Sequence, residues 1–207
     1  MLTDQGHSLH HYTSDVTTSF PVNGKFTEKQ AQIYNLVLKA SRAVFAKLAP
    51  GVDWMEMHKL SERVLLEGLV GLGLLTGDVD EMLEKRISFL FMPCGMGHFI
   101  GLDVHDVGGY LGHNPKRSIQ PGLNNLRTAR IMEAGNIVTI EPGCYFREFL
   151  LTGQIPEDYY KFDLSYVNLD KIKEYMTEVC GVRIEDVVLV TDTGCENLSY
   201  DIPRSIK

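Results

Sequence analysis

Ile137-Val138-Thr139-Ile140-Glu141-Pro142-Gly143 is a short apolar run that ends on a carboxylate and is then stopped by proline and glycine. β-Branched residues at this density read as a strand, and Pro-Gly reads as its end. Residues 87–92, 144–146 and 182–190 read as strands on the same grounds. Residues 8–20 add a loosely alternating segment in which Tyr12, Val16 and Phe20 suit a strand, followed by a turn at Pro21 and Asn23-Gly24. Between that turn and residue 87 the pattern is helical. Thr27-Glu28-Lys29-Gln30 is a capping box, and Ile33, Val37, Val44 and Leu48 follow at helical spacing until Pro50-Gly51. Asp53 can cap a second helix over about 54–69, ended by Gly71 and Gly73. Shorter helices are expected over 79–86 and 169–179, the latter inside a polar, aromatic-rich excursion spanning 147–180. Helices and strands do not alternate in a βαβ rhythm, and no GxGxxG or Walker sequence is present. The expected class is therefore α+β, with a curved antiparallel sheet.

The chain has 207 residues, 44% of them apolar, and a formal net charge of -7. That length allows one large domain or two small ones, and the apolar share can build a real core. The acidic balance argues against nucleic acid or an anionic membrane surface as partner. No apolar run is long enough to span a bilayer, and the first residues lack a signal-peptide pattern. Cys94, Cys144, Cys180 and Cys195 show no CxxC spacing, so reduced thiols and a cytoplasmic location are expected.

Five donors stand out: Asp4, Asp15, His98, Glu141 and Glu185. Each lies in a short apolar or glycine-rich segment, where an uncompensated charge is costly. Taken singly they are ordinary: Asp15 reads as a turn residue, Glu141 as a strand-end charge, His98 as a core histidine. Together they suggest a site for two divalent cations. Two adjacent antiparallel strands would put Asp4 and Asp15 on one sheet face. Four carboxylates and one imidazole favour Mn²⁺, with Co²⁺ or Zn²⁺ as alternatives. Two such ions roughly 3.5–4 Å apart can share and deprotonate a water, which suits amide hydrolysis. His7, His10 and His11 read as solvated strand residues, His58 as an exposed helix position and His113 as a loop residue. Met55, Met57, Met82, Met92 and Met96 read as core, and Cys180 and Cys195 as small apolar packing.

Asp4-Gln5-Gly6, Tyr12-Thr13-Ser14-Asp15-Val16-Thr17, Gly95-Met96-Gly97-His98-Phe99-Ile100-Gly101-Leu102-Asp103-Val104-His105-Asp106, Thr139-Ile140-Glu141-Pro142-Gly143 and Arg183-Ile184-Glu185-Asp186 together resemble the dinuclear metallopeptidases of the creatinase/aminopeptidase pita-bread fold. Phe20–Phe26, Asp106–Tyr110, Leu126–Arg130 and the long insert between Glu141 and Glu185 make the chain most similar to the prolidase branch, the Xaa-Pro dipeptidases. The resemblance runs from residue 1 to about 205. It implies that Asp4 binds one ion, that Asp15 and Glu185 bridge the pair, and that His98 and Glu141 complete the other site. It implies a metal-bridging hydroxide acting on Xaa-Pro dipeptides, with Glu141 as proton shuttle, His105 holding substrate and stabilising the tetrahedral intermediate, and Arg127 on the substrate carboxylate. Arg183 would orient a carboxylate.

The chain departs from that pattern twice. Cys94 stands where prolidases usually have histidine, beside the substrate. The family's separate N-terminal domain and the first third of its catalytic fold have no counterpart before Asp4, so residues 1–207 are expected to be the C-terminal part of a pita-bread catalytic domain, N-terminally incomplete. An exposed sheet face would follow, which a second copy could cover as a homodimer. The competing readings are a noncatalytic pita-bread binding protein or inactive fragment, and an aminopeptidase acting on longer Xaa-Pro peptides.

Overall fold

The computed structural model describes residues 1–155 and 160–206. In chain order its strands and helices are β1 (Leu2–Gln5), β2 (Ser8–Leu9), β3 (Tyr12–Thr13), β4 (Val16–Ser19), α1 (Glu28–Phe45), α2 (Trp54–Gly71), α3 (Val79–Glu84), β5 (Ile137–Ile140), β6 (Gly143–Tyr145), α4 (Glu148–Leu151), α5 (Leu169–Glu178), β7 (Gly181–Arg183), β8 (Asp186–Val190) and β9 (Cys195–Asn197). Every strand pairing among the described residues is antiparallel, as the α+β expectation requires.

The helices begin where the sequence places them. Thr27 and Gln30 form the reciprocal capping box of α1, which satisfies two backbone donors that would otherwise be orphaned. Asp53 caps α2 by accepting from the Met55 amide at 2.8 Å, and Asp78 caps α3 through the Glu81 amide. One stretch of α1 and α2 packs Ile33, Val37, Leu65 and Leu69 with Phe91, Cys144 and Val182. The other packs Val44, Leu48 and Trp54 onto Val138, Ile140, Val188 and Val190. The two helices thus cover both halves of the hairpin formed by β5–β6 and β7–β8.

That hairpin positions the site. β5 pairs β8 from Ile137↔Leu189 to Ile140↔Asp186, and β6 pairs β7 from Gly143↔Arg183 to Tyr145↔Gly181. Both ladders share one register, which continued across the gap sets Glu141 opposite Glu185. The gap opens because Pro142 has no amide hydrogen to give, and because both glutamates direct their amides elsewhere. Glu141 N donates to Met96 O at 2.8 Å, and Glu185 N donates to Thr17 O at 3.1 Å. Two outer segments are thereby drawn in, one on each side. The segment around Met96–Phe99 runs beside β5, with an antiparallel bridge at Phe99↔Val138. β4 meets the β7–β8 junction.

β1 and β4 pair with Asp4 opposite Thr17. Strand alternation puts Asp15, Thr17 and Asp4 on one face, as the spacing predicts. The opposite face, with Thr3, Val16 and Thr18, lines an open groove of about 870 Å³.

Several expectations are corrected. Residues 87–92 are not a strand: Ile87–Leu90 forms a 3₁₀ turn, with Phe89 N donating to Arg86 O and Met92 N to Ser88 O. The run is buried on all sides, and an all-apolar run carries no periodicity to separate strand from helix. Residues 182–190 are two strands, broken at Ile184–Glu185. His58 is fully buried rather than exposed. His10 and His11 are not strand residues; with φ of 51° and 73° they form the two-residue turn between β2 and β3. Cys180 is exposed at the end of α5 with φ 61°, while Cys195 is half-buried against the Val138–Val190 core.

Candidate metal centre

His98 is the hub. Its ring Nδ1 lies 2.9 Å from Phe99 O; a carbonyl can only accept, so Nδ1 carries the proton and Nε2 presents its free side. Around Nε2 stand Glu141 Oε1 at 3.3 Å, Asp15 Oδ2 at 3.5 Å and Glu185 Oε1 at 4.0 Å. The His98 amide donates to Thr139 Oγ1 at 3.1 Å, and Thr139 donates that same hydroxyl to Glu141 Oε1 at 3.1 Å. Gly97 allows this close pairing: a Cβ there would run into Thr139 O and come within 2.8 Å of Trp54.

Asp15, His98 and Glu185 form a cluster able to hold a cation. Asp4 joins it from β1, next to Asp15, and is held by Arg183 Nη2 at 2.5 Å. Arg183 also donates from Nε to Thr17 Oγ1 at 3.0 Å, and Thr17 donates to Glu185 Oε2 at 2.6 Å. Arg183 therefore orients two carboxylates, one directly and one through Thr17. All five donors expected from the sequence are brought together.

The electrostatics of the bare site are unfavourable. Burial, reinforced by Glu141, pushes Glu185 up to about 9. Burial raises Glu141 as well, against the pull of His98 and Arg183. Asp4 is raised by burial and by Asp15 beside it. Asp15 is lowered, because its bonds to His98 and Asp4 outweigh its own burial. His98 is raised, since Asp15, Phe99 O and Glu141 outweigh burial. Carboxylates this crowded cannot all ionise unless positive charge lies among them. The donor set fits divalent cations: hard oxygens, one imidazole with its lone pair aimed inward, and hydrogen bonds behind the ligating atoms.

A cavity of about 290 Å³ adjoins the donors, lined in part by Pro93, Cys94, His98, His105, Arg127 and Glu141. The rings of His98 and His105 meet edge to face, 4.5 Å between centroids. Burial, then the nearby His98 and Arg127, lowers His105, which keeps it neutral near neutral pH. Burial and the neighbouring Glu141 raise the Cys94 thiol.

Sequence reasoning missed Thr17, Thr139 and Arg204. The first two had a signal: each lies two residues from a donor on a strand, hence on its face. Arg204 had none. It sits in irregular chain near the C-terminus, donates to Thr17 O at 2.9 Å and to Glu185 O at 2.5 Å, and pairs with Asp186 at 2.8 Å.

The chain is similar to known proteins along its whole length. It is 45% identical over 206 residues to the Xaa-Pro dipeptidase of Mus musculus, which covers 100% of this chain and 41% of that protein. It superposes on aminopeptidase PepP of Pseudomonas aeruginosa with a TM-score of 0.73 at 37% identity, covering 99% of this chain and 39% of the other. The zinc-substituted aminopeptidase P of E. coli in complex with product gives the same TM-score at 34% identity, covering 99% and 38%. These likenesses bear out the expected pita-bread fold; the chain spans about two fifths of the length of the relatives it matches. The family match extends over residues 1–192, and with these donors at its centre the chain belongs to metallopeptidase family M24.

Proposed function

We propose that this chain carries the dinuclear centre of an Xaa-Pro dipeptidase, with Mn²⁺ as the preferred metal and Co²⁺ or Zn²⁺ as alternatives. The observation that carries the reading is the convergence of Asp15, Glu141 and Glu185 on His98 Nε2, beside a cavity that holds His105 and Arg127. Asp4, Asp15, His98, Glu141 and Glu185 would hold two cations. Bound there, the cations would supply Lewis acidity and a water acidified to near-neutral pKa.

The chain's own residues supply the rest. Arg127 offers a planar fork to the carboxylate of a C-terminal proline. The cavity's size suits a small, compact group such as a pyrrolidine ring, and Pro93 gives it an apolar wall. His105, neutral, directs an N–H toward the carbonyl oxygen as negative charge develops there. Hydrolysis also needs a group that takes a proton from water and returns it to the leaving nitrogen. Glu141 stands at the cavity wall, is raised by burial and receives a hydrogen bond from Thr139, which suits that exchange.

Metal analysis and proline release test this together. Two ions per chain and Mn²⁺-stimulated release of proline from Gly-Pro are expected. Folded, metal-loaded protein that leaves Gly-Pro intact rejects the dipeptidase reading. The second reading, an aminopeptidase on longer Xaa-Pro peptides, draws on the likeness to aminopeptidase P; cleavage of a tripeptide such as Gly-Pro-Ala in preference to Gly-Pro would favour it.

A further inference from the structure

An ionic cluster lies buried outside the donor set. Glu62 on α2 is fully buried, and Arg86 is nearly so. Arg86 Nη1 donates to Glu62 Oε2 at 2.8 Å and Nη2 to Oε1 at 2.5 Å. Ser88 Oγ also donates to Oε1, at 2.8 Å, and His58 Nε2 approaches it to 3.1 Å. The third guanidinium donor points out of the pair: Arg86 Nε gives a 2.9 Å hydrogen bond to Pro121 O. Gly122 follows with φ +82°, packed so closely that a Cβ would lie 3.1 Å from Arg86 Nη2 and 3.4 Å from Glu62 Oε1. A 3₁₀ turn at Leu123–Asn125 comes next. Asn125 Nδ2 donates to Pro93 O at 2.6 Å on the cavity rim, Leu126 is fully buried, and Arg127 enters the cavity wall.

We propose that Glu62 and Arg86 are positioning residues for Arg127. The proposal rests on the reading of Arg127 as the partner of a substrate carboxylate. A buried ion pair is a poor source of stability compared with well-packed apolar side chains. What it supplies here is direction. The carboxylate holds the guanidinium in one plane, which leaves Nε aimed at the Pro121 carbonyl. No apolar residue, and no lysine, can make the two-point contact and the outward bond at once. Arg86 has a left-handed backbone (φ 57°), uncommon for a side chain of this size. The loop that carries Arg127 is thus fixed at its start by charge, along its turn by Leu123 and Leu126, and at the rim by Asn125.

The test uses the Mn²⁺-loaded chain and two probes, L-proline and L-prolinamide, with binding measured by calorimetry. Proline carries the carboxylate and prolinamide does not. The wild-type chain is expected to prefer proline, and Arg127→Ala to lose that preference. A wild type without any preference overturns the role of Arg127 itself, and does so before a clamp variant is made. Arg86→Lys keeps the charge and loses the fork; Gly122→Ala leaves every charge and displaces the loop. Each is expected to cut the proline preference roughly tenfold, the scale of loss for a small misplacement of a binding group, while prolinamide affinity holds. Combined with Arg127→Ala, neither should cost anything more. Equal weakening of both probes, additive losses in the double variants, or variants that fail to fold altogether would overturn the proposal, because the pair would then serve the core and not the loop.

Discussion

Glu141 and Glu185 stand opposite each other at the step where the ladder from β5 to β8 stops and the ladder from β6 to β7 has yet to begin. Each sends its amide outward, to Met96 O and Thr17 O, so the break in the hairpin is also where two neighbouring segments attach. Two carboxylates facing each other repel, and that repulsion adds to the burial of Glu185, which is the larger cause of its strong upward shift.

Chelation is therefore expected to lower the melting temperature. A ligand that binds only the folded state at 100 times its Kd stabilises by about 2.7 kcal/mol. Glu185→Gln should abolish metal retention, yet leave the metal-free protein no less stable than wild-type apoprotein, since one member of the repelling pair is gone. Calorimetry with and without chelator, alongside elemental analysis, reads both outcomes. An apo variant markedly less stable than apo wild type would refute the electrostatic account.

Thr17→Val removes the hydroxyl that bonds Glu185 at 2.6 Å and accepts from Arg183 at 3.0 Å. Loss of such a supporting contact typically costs about 10- to 100-fold in metal affinity. Competition with a metallochromic indicator measures it; an unchanged dissociation constant would show that Thr17 does not orient Glu185.

Gly97→Ala should displace His98, because the new Cβ meets Thr139 O and Trp54. Overpacking of this kind costs about 1–3 kcal/mol. Urea unfolding and metal content should fall together. Normal metal content in the variant would mean that the segment around His98 can shift without loss.

Glu62 gives a pH dependence remote from the donor set. Burial alone would raise it, but His58 and Arg86 outweigh burial and hold it at about 2 against an ordinary 4.5. Its folded value is depressed, so the contribution is present above about 4.5 and is lost as pH falls toward 2. Glu62→Gln is expected to cost about 3–5 kcal/mol at pH 7, the usual penalty for breaking a buried pair. The gap between variant and wild type should narrow in unfolding curves taken between pH 4.5 and 2. A gap that stays constant with pH would contradict the ionic account.

The thiols should react in order of access. Cys180 is exposed, Cys94 is raised by burial, and Cys144 is fully buried and pushed to about 12. Since the thiolate is the nucleophile, peptide-level alkylation at pH 8 should label Cys180 first and Cys144 last. Early labelling of Cys144 would mean that the core under β6 opens.

The sequence was most informative where chemistry is local. Thr27, Asp53 and Asp78 announce helix starts because a cap acts within three residues. The five donors were legible because each interrupts an apolar or glycine-rich segment. What could not be read depends on contacts made across the fold. The run at 87–92 turns into 3₁₀ helix because its neighbours bury every side. His58 and Glu62 share the face of α2 that carries Leu65 and Leu69, yet His58 reads as exposed in the sequence because a polar side chain is expected to face solvent; the partner that draws the pair inward, Arg86, lies 24 residues past Glu62. Arg204 steadies Glu185 from irregular chain that has no periodicity to read.

The excursion between β6 and β7 leaves and rejoins the sheet at matched points: Tyr145 pairs with Gly181, and Phe146 N bonds Cys180 O at 2.8 Å. It is a closed detour whose ends the hairpin fixes. The entropy of closing such a loop rises only slowly with length, about 0.6 kcal/mol per doubling. Length can therefore vary at the exposed positions of this excursion with little effect on the step at Glu141 and Glu185, while Leu150, Leu151, Ile172 and Tyr175, buried in the core, must keep their places.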